Sequence, residues 1–230
     1  MRCVAIPALS AHEVHIWQAN LDLAADEAAT LASLLSPDEM QKASRFHFPI
    51  HRQRYIAARG LLRLLLGQYL QVPPATITLA YTTKGKPYLP QTNLQFNVSH
   101  SENRALLGFT WDYPLGVDIE KVATDYDAAV AARYLSPAEW LALQAEPPAT
   151  QTEAFYRLWA RKEAVIKALG VGISYGLAKF TVPIAPVLRE PHYVLEDGSV
   201  WHLQSVDVHP EFQAAFVTAQ SVQQMLLLQY

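Results

Sequence analysis

In "VHIWQANL", residues 14 to 21, apolar and polar positions largely alternate, the pattern of a half-buried strand. A helix is expected from about residue 23. A second opens at "SPDEMQKASRF", where Ser36 can serve as N-cap and Pro37 as the first helical residue. "RQRYIAARGLLRLLLGQYL" (52 to 70) reads as a long amphipathic helix, with Arg52, Arg54, Arg59 and Arg63 spread among leucines. "TITLAYTTKGKPYLP" gives a strand and then a loop turning at Gly85 and Pro87. "LQFNVSHS" (94 to 101), "ALLGFTW" (105 to 111) and "LGVDIEKV" (115 to 122) read as three more strands.

The second half repeats this plan. A helix is expected near 126 to 134, another at "SPAEW" (136 to 140), and a long one over 152 to 170, opened by Thr150 or Thr152 and stopped by Gly170. Strands are expected near 178 to 183, 192 to 196, 200 to 208 and 213 to 219. "LSPDE" at 35 to 39 recurs as "LSPAE" at 135 to 139, each followed by a long helix containing Ala-Arg (Ala58-Arg59 and Ala160-Arg161). Two explanations stand: a duplication, or two separate uses of Ser-Pro-x-Glu as a helix start. A duplicated chain would fold as two similar α+β lobes, 1–112 and 113–230, with a ligand-sized cleft between them.

Composition narrows the function. At 230 residues and 51% hydrophobic, the chain can bury a substantial core. With 18 Lys and Arg against 21 Asp and Glu it has no overall positive field to draw it to nucleic acid or acidic membranes, so an anionic ligand must be held locally. Cys3 is the only cysteine, which rules out an internal disulfide and a CxxC metal site and fits a reducing compartment, the cytoplasm by default. The opening "MRCVAIPALSA" imitates a secretion signal weakly, its apolar run broken by Pro7. No apolar stretch reaches the roughly 20 residues of a membrane span.

The chemistry lies in two segments. In "LGVDIEKV", Val117 and Ile119 point to the core while Asp118 and Glu120 project together from the other face, their Cα atoms roughly 6 to 7 Å apart. Such a pair can share a cation, and hard oxygen ligands suit Mg²⁺; on a half-exposed strand the same pair can equally be ordinary solvated charge. Gly116 leaves room for close approach. In "WARKEAVIKALG" (159 to 170), Glu163 and Lys167 lie one turn apart, by themselves a surface ion pair worth about 0.3 to 0.5 kcal/mol. Packed beside the Asp118 strand, they would add a third carboxylate and a phosphate donor, the parts of a phosphoryl-transfer site. "NVSHS" offers the Ser99 and Ser101 hydroxyls and the His100 imidazole; "KGKP" offers Lys84 and Lys86; Arg54 heads an apolar helix.

The series "KGKPYLP", "FNVSHS", "GVDIEKV" and "FYRLWARKEAVIKALG", with the "SPDEMQKASRF" helix ahead of it, resembles the 4'-phosphopantetheinyl transferases of the surfactin-synthetase-activating type over residues 14 to 219. The resemblance implies a pseudo-twofold, two-lobed α+β monomer binding coenzyme A and Mg²⁺ between its lobes. It implies transfer of the 4'-phosphopantetheine arm to a serine of an acyl or peptidyl carrier protein, partners that present an acidic helix. By motif position, Asp118, Glu120 and Glu163 would hold the metal; Lys86, Ser99, His100 and Lys167 would meet phosphates; Lys42 and Arg54 would face the adenosine 3'-phosphate; Glu163, Lys167 and His100 would be catalytic. Where that type has a second lysine, three residues before the position of Lys42, this chain has Glu39. The carrier surface falls around Tyr126 to Trp140. A Mg²⁺-dependent phosphohydrolase and a non-catalytic coenzyme A binding protein are the competing readings.

Overall fold

The computed structural model describes residues 6–188, 192–195 and 198–230, so Cys3 lies outside the described residues. It is an α+β fold built on two four-stranded sheets. The first contains β1 (Glu13–Asn20), β4 (Leu94–Ser101), β5 (Arg104–Trp111) and β10 (Gln224–Gln229), in the order β10-β1-β5-β4. The second contains β6 (Leu115–Lys121), β7 (His192–Val194), β8 (Val200–Ser205) and β9 (Phe212–Thr218), in the order β6-β9-β8-β7 and antiparallel throughout. A two-residue ribbon, β2 (Ala80–Tyr81) with β3 (Pro87–Tyr88), holds the turn carrying Lys84 and Gly85.

Each half contributes two short helices and a long one: α1 (Ala25–Ala32), α2 (Pro37–Ser44) and α3 (Pro49–Leu70), then α4 (Ala128–Tyr134), α5 (Pro137–Ala145) and α6 (Pro148–Leu169). α3 packs its leucines with Trp17, Leu107 and Phe109 into one core, and α6 packs Phe155, Leu158, Val165 and Ile166 with Ala215 and Val217 into another. Among the described residues no helix is long and apolar enough to cross a membrane.

The repeated helix starts are capping boxes, Ser36 with Glu39 and Ser136 with Glu139, in which hydroxyl and carboxylate satisfy each other's backbone N–H groups. Both glutamates are buried, and each also meets a cation from its long helix. Arg63 Nε lies 2.6 Å from Glu39 and Lys162 Nζ 2.7 Å from Glu139. Arg63 and Lys162 occupy the same place in their 22-residue helices, counted from Pro49 and Pro148. The matching positions are therefore these buried cations, three residues out of step with the Ala-Arg pairs.

Three expectations change. The long helices open at Pro49 and Pro148 rather than at 52 and 152, because a first-turn proline fixes φ and has no N–H to leave unbonded. The strand expected over 178 to 183 is a single 3₁₀ turn, Leu177–Lys179, and then irregular chain. Its polar groups find α6 and α5 instead of a neighbouring strand: Lys162 donates to the Leu177 and Phe180 carbonyls, Arg161 to Pro183, and Val182 N–H to Glu139 Oε1. The unforeseen strand is β10, which returns to lie parallel to β1. With β10 on one side and β5 on the other, β1 is central, and its inner polar residues His15 and Gln18 are buried with partners. His15 Nδ1 and Trp17 Nε1 both bond the Tyr69 hydroxyl, at 2.7 and 2.9 Å, and Gln18 donates to the Asp207 carbonyl.

β6 lies against α6 at Gly116, where a Cβ would stand 2.1 Å from Ala164 O and 2.3 Å from Ala168 N. The glycine thus makes room for the helix. Gly116→Ala is expected to lower the unfolding free energy by about 3 kcal/mol, the upper end of ordinary overpacking; an unchanged urea midpoint would mean that α6 is not seated there. Burial holds His15 below its usual 6.5, with Glu13 opposing. The unfolded chain takes up that proton as the pH falls through this range while the folded chain resists it, so stability declines toward acid. His15→Gln is expected to flatten the decline between about pH 7 and pH 5, and parallel urea-derived profiles would refute the assignment.

Candidate active site

β4 and β6 are the facing edges of the two sheets, joined by side chains instead of a backbone ladder. Alternation puts Asn97, Ser99 and Ser101 on one side of β4. Asn97 Oδ1 accepts from Val117 N–H at 2.9 Å, and Ser99 Oγ donates to Asp118 Oδ1 at 2.7 Å. Ser101 Oγ donates to Glu120 Oε2 and accepts from Lys121 N–H, both at 3.1 Å. The two carboxylates of β6 therefore face the other sheet's hydroxyls, and Asp118 is 1% exposed, which excludes the solvated reading.

The docking of α6 at Gly116 sets Glu163 and Lys167 beside this seam. Lys167 Nζ donates to Asp118 Oδ1 and to Ser99 Oγ, closing a three-membered cluster, so its ammonium serves Asp118 rather than Glu163 one turn away. Burial raises the Asp118 carboxyl above its usual range, against the pull of Lys167 and Ser99. Burial, followed by repulsion from Asp118 and helped by Glu163, pushes Glu120 up to about 7. Burial and then Asp118 raise Glu163, with Lys167 opposing. Asp118 Oδ2 is buried and accepts no hydrogen bond. Three mutually repelling carboxylates and an unused buried oxygen fit a hard cation. Among the described residues no three His, Cys, Asp or Glu side chains already stand together in a metal-holding group.

The remaining residues divide. His100, at the end of β4, keeps an exposed edge, yet the protein crowded around its ring, followed by Lys167, Arg54 and His51, holds it below its usual range. Arg54 spans Asp22 and Glu102, each at 2.8 Å. Lys86 is turned inward: its Nζ donates to the carbonyls of Leu115, Lys167 and Ala168, ending α6 and bracing the start of β6, and burial lowers it to about 8. A recess of about 250 Å³ runs past Lys84, Lys86, Asn97, Glu163 and Lys167.

Lys42 lies elsewhere, 5.5 Å over the Tyr55 ring, in a recess of about 480 Å³ that includes none of Ser99, His100, Asp118, Glu120, Glu163 or Lys167. Sequence reasoning did not assign Asn97, nor Ser101 as a partner of Glu120. The signal was present in the every-second-residue spacing of hydrogen-bonding side chains in "NVSHS".

Glu39 is structural. Besides Ser36 N–H it takes Arg63 at 2.6 Å and Arg59 at 3.3 Å. Glu39→Lys, which restores the lysine of the surfactin type, is expected to cost about 3–5 kcal/mol, because it leaves two buried or half-buried arginines facing a third cation. Urea unfolding checks this, and a variant of parental stability would show that the position is free to vary.

A family model described as 4'-phosphopantetheinyl transferase superfamily matches residues 114–219, and one described as 4'-phosphopantetheinyl transferase, N-terminal, matches residues 21–108. The chain is 37% identical over 200 residues to the 4'-phosphopantetheinyl transferase HetI of Nostoc sp., covering 85% of this chain and 83% of that one. It is 34% identical over 202 residues to a 4'-phosphopantetheinyl transferase of Bacillus subtilis, covering 86% and 88%. Over 198 residues it is 28% identical to the 4'-phosphopantetheinyl transferase Sfp of Bacillus subtilis strain 168, with the same coverage.

Proposed function

Because this chain belongs to the 4'-phosphopantetheinyl transferase superfamily, we propose that it moves the 4'-phosphopantetheine arm of coenzyme A onto a serine of an acyl or peptidyl carrier protein, releasing adenosine 3',5'-bisphosphate. The observation that carries this reading is the Asp118–Ser99–Lys167 cluster, where a donor from α6 and a hydroxyl from β4 meet a carboxylate of β6 beside Glu120 and Glu163. We read the chain as a cytoplasmic monomer of two lobes, 1–112 and 113–230, with the cluster at their junction and β10 crossing back to the first.

Asp118 and Glu120, with Glu163, would hold Mg²⁺; the ion supplies positive charge against a pyrophosphate. Lys167, held ready by Ser99, is placed to donate to a non-bridging phosphate oxygen as charge shifts toward the leaving group. Glu163, directly or through a water, is the proton acceptor for the attacking serine, by its place on α6 one turn from Lys167. His100, with Arg54 nearby, steadies the departing bisphosphate. Lys86 acts through position: by binding the last carbonyls of α6 it fixes the helix end that carries Lys167.

Incubation with coenzyme A, Mg²⁺ and an apo carrier protein tests the reading. A carrier mass gain equal to phosphopantetheine supports transfer, whereas coenzyme A breakdown without carrier modification would mean hydrolysis, and binding without turnover a non-catalytic role. Glu163→Gln is expected to reduce turnover by at least about 100-fold, the scale of a lost general base, with coenzyme A affinity largely kept; undiminished turnover would remove Glu163 from the role.

A further inference from the structure

From Ser44 to Gln53 ten consecutive residues are exposed. Among them Phe46, Phe48 and Ile50 are 39, 58 and 40% exposed. Arg45, His47, His51 and Arg52 are interleaved with them. Scattered surface apolar residues need no explanation, but three large ones within five positions form a patch. The patch is set in a charge-segregated stretch: residues 40 to 101 contain eight of the 18 Lys and Arg residues and none of the 21 Asp and Glu. Of these eight, Arg54, Arg59 and Arg63 meet Asp22, Glu102 or Glu39 and Lys86 is turned inward, which leaves Lys42, Arg45, Arg52 and Lys84 as the exposed cations of the stretch.

The patch stands at the rim of the cluster. Arg54, three residues after His51 on α3, holds Glu102 at 2.8 Å, two residues beyond His100. That contact ties the first turns of α3 to the end of β4, where His100 lies. An acceptor protein makes use of an apolar rim, because its serine must be held at the cluster while the rest of its surface rests outside. A surface of exposed aromatic and aliphatic side chains between arginines complements an amphipathic helix with acidic flanks.

The stretch from Tyr126 to Trp140 is less suited. Tyr126 stacks on Phe155 at 5.1 Å and Tyr134 meets Trp159 edge-on at 5.6 Å, so their rings are engaged with α6. Asp125 and Asp127 adjoin Tyr126 and would repel an acidic partner.

We propose that residues 44 to 53 dock the acidic, serine-bearing helix of the carrier protein, with Phe48 and Ile50 as apolar anchors and Arg45 and Arg52 as partners for its carboxylates. This rests on the transferase reading. Two double variants of the full chain test it, Phe48→Ser with Ile50→Ser and Arg45→Glu with Arg52→Glu. Both are assayed by carrier mass gain at saturating coenzyme A and Mg²⁺ over a range of apo carrier concentrations, with coenzyme A affinity measured by calorimetry.

Each variant is expected to raise the KM for carrier about tenfold or more, as loss of interface anchors does, with kcat and coenzyme A affinity within about twofold of the parent. The charge-reversed variant should recover part of the loss on a carrier whose helix acids are changed to lysine. Variants that bind coenzyme A normally and keep the parental KM for carrier would overturn the docking assignment. A parent enzyme that consumes coenzyme A yet modifies no apo carrier would overturn the transferase reading first and the docking with it.

Discussion

The links that three side chains of β4 make to β6 are the constraint on which the rest depends. Two sheet edges would ordinarily pair by backbone hydrogen bonds or be kept apart. Here Asn97 and Ser101 satisfy backbone N–H groups of β6 while Ser99 and Ser101 take its carboxylates. One set of contacts thus joins the sheets and aims the acids. Ser99 in particular accepts from Lys167 as it donates to Asp118, so a hydroxyl from the first half orients a cation from the second.

α6 makes that geometry rigid by an unusual amount of internal charge. Arg161 and Lys162 are buried and end on backbone carbonyls of the 177 to 186 segment, and Glu139 compensates Lys162. Burial draws Lys162 down and brings Arg161 to about 9, because both groups lose water. Their hydrogen bonds offset that cost and fix the helix in direction and rotation, which apolar packing alone specifies less sharply.

Much of this was legible in the sequence because it is local. The Ser-Pro-x-Glu capping boxes, the glycine stop of α6 and the alternation of β4, β5 and β6 all come from contacts within a few residues, and the chain shows them directly. What escaped depends on partners far along the chain. Residues 178 to 183 looked extended because nothing local reveals that Lys162 and Arg161 will take their carbonyls. Nothing local reveals that Lys86 donates to the start of β6 and the end of α6, roughly 30 and 80 residues away, a distance no short-range pattern encodes. Glu39 looked like a lost ligand until Arg59 and Arg63 were seen to face it.

The return of β10 to the first sheet changes how the molecule comes apart. β1 lies between β10 and β5, and β10 follows directly on β9 of the second sheet with only residues 219 to 223 between them. Melting the second sheet strips an edge from the first and exposes Val14 and Ile16, which pack against Leu115, Val117 and Phe216. Together with the β4–β6 seam, this makes the two sheets one cooperative unit, so the cluster is lost with the fold as a whole and not by the separation of two independently stable halves.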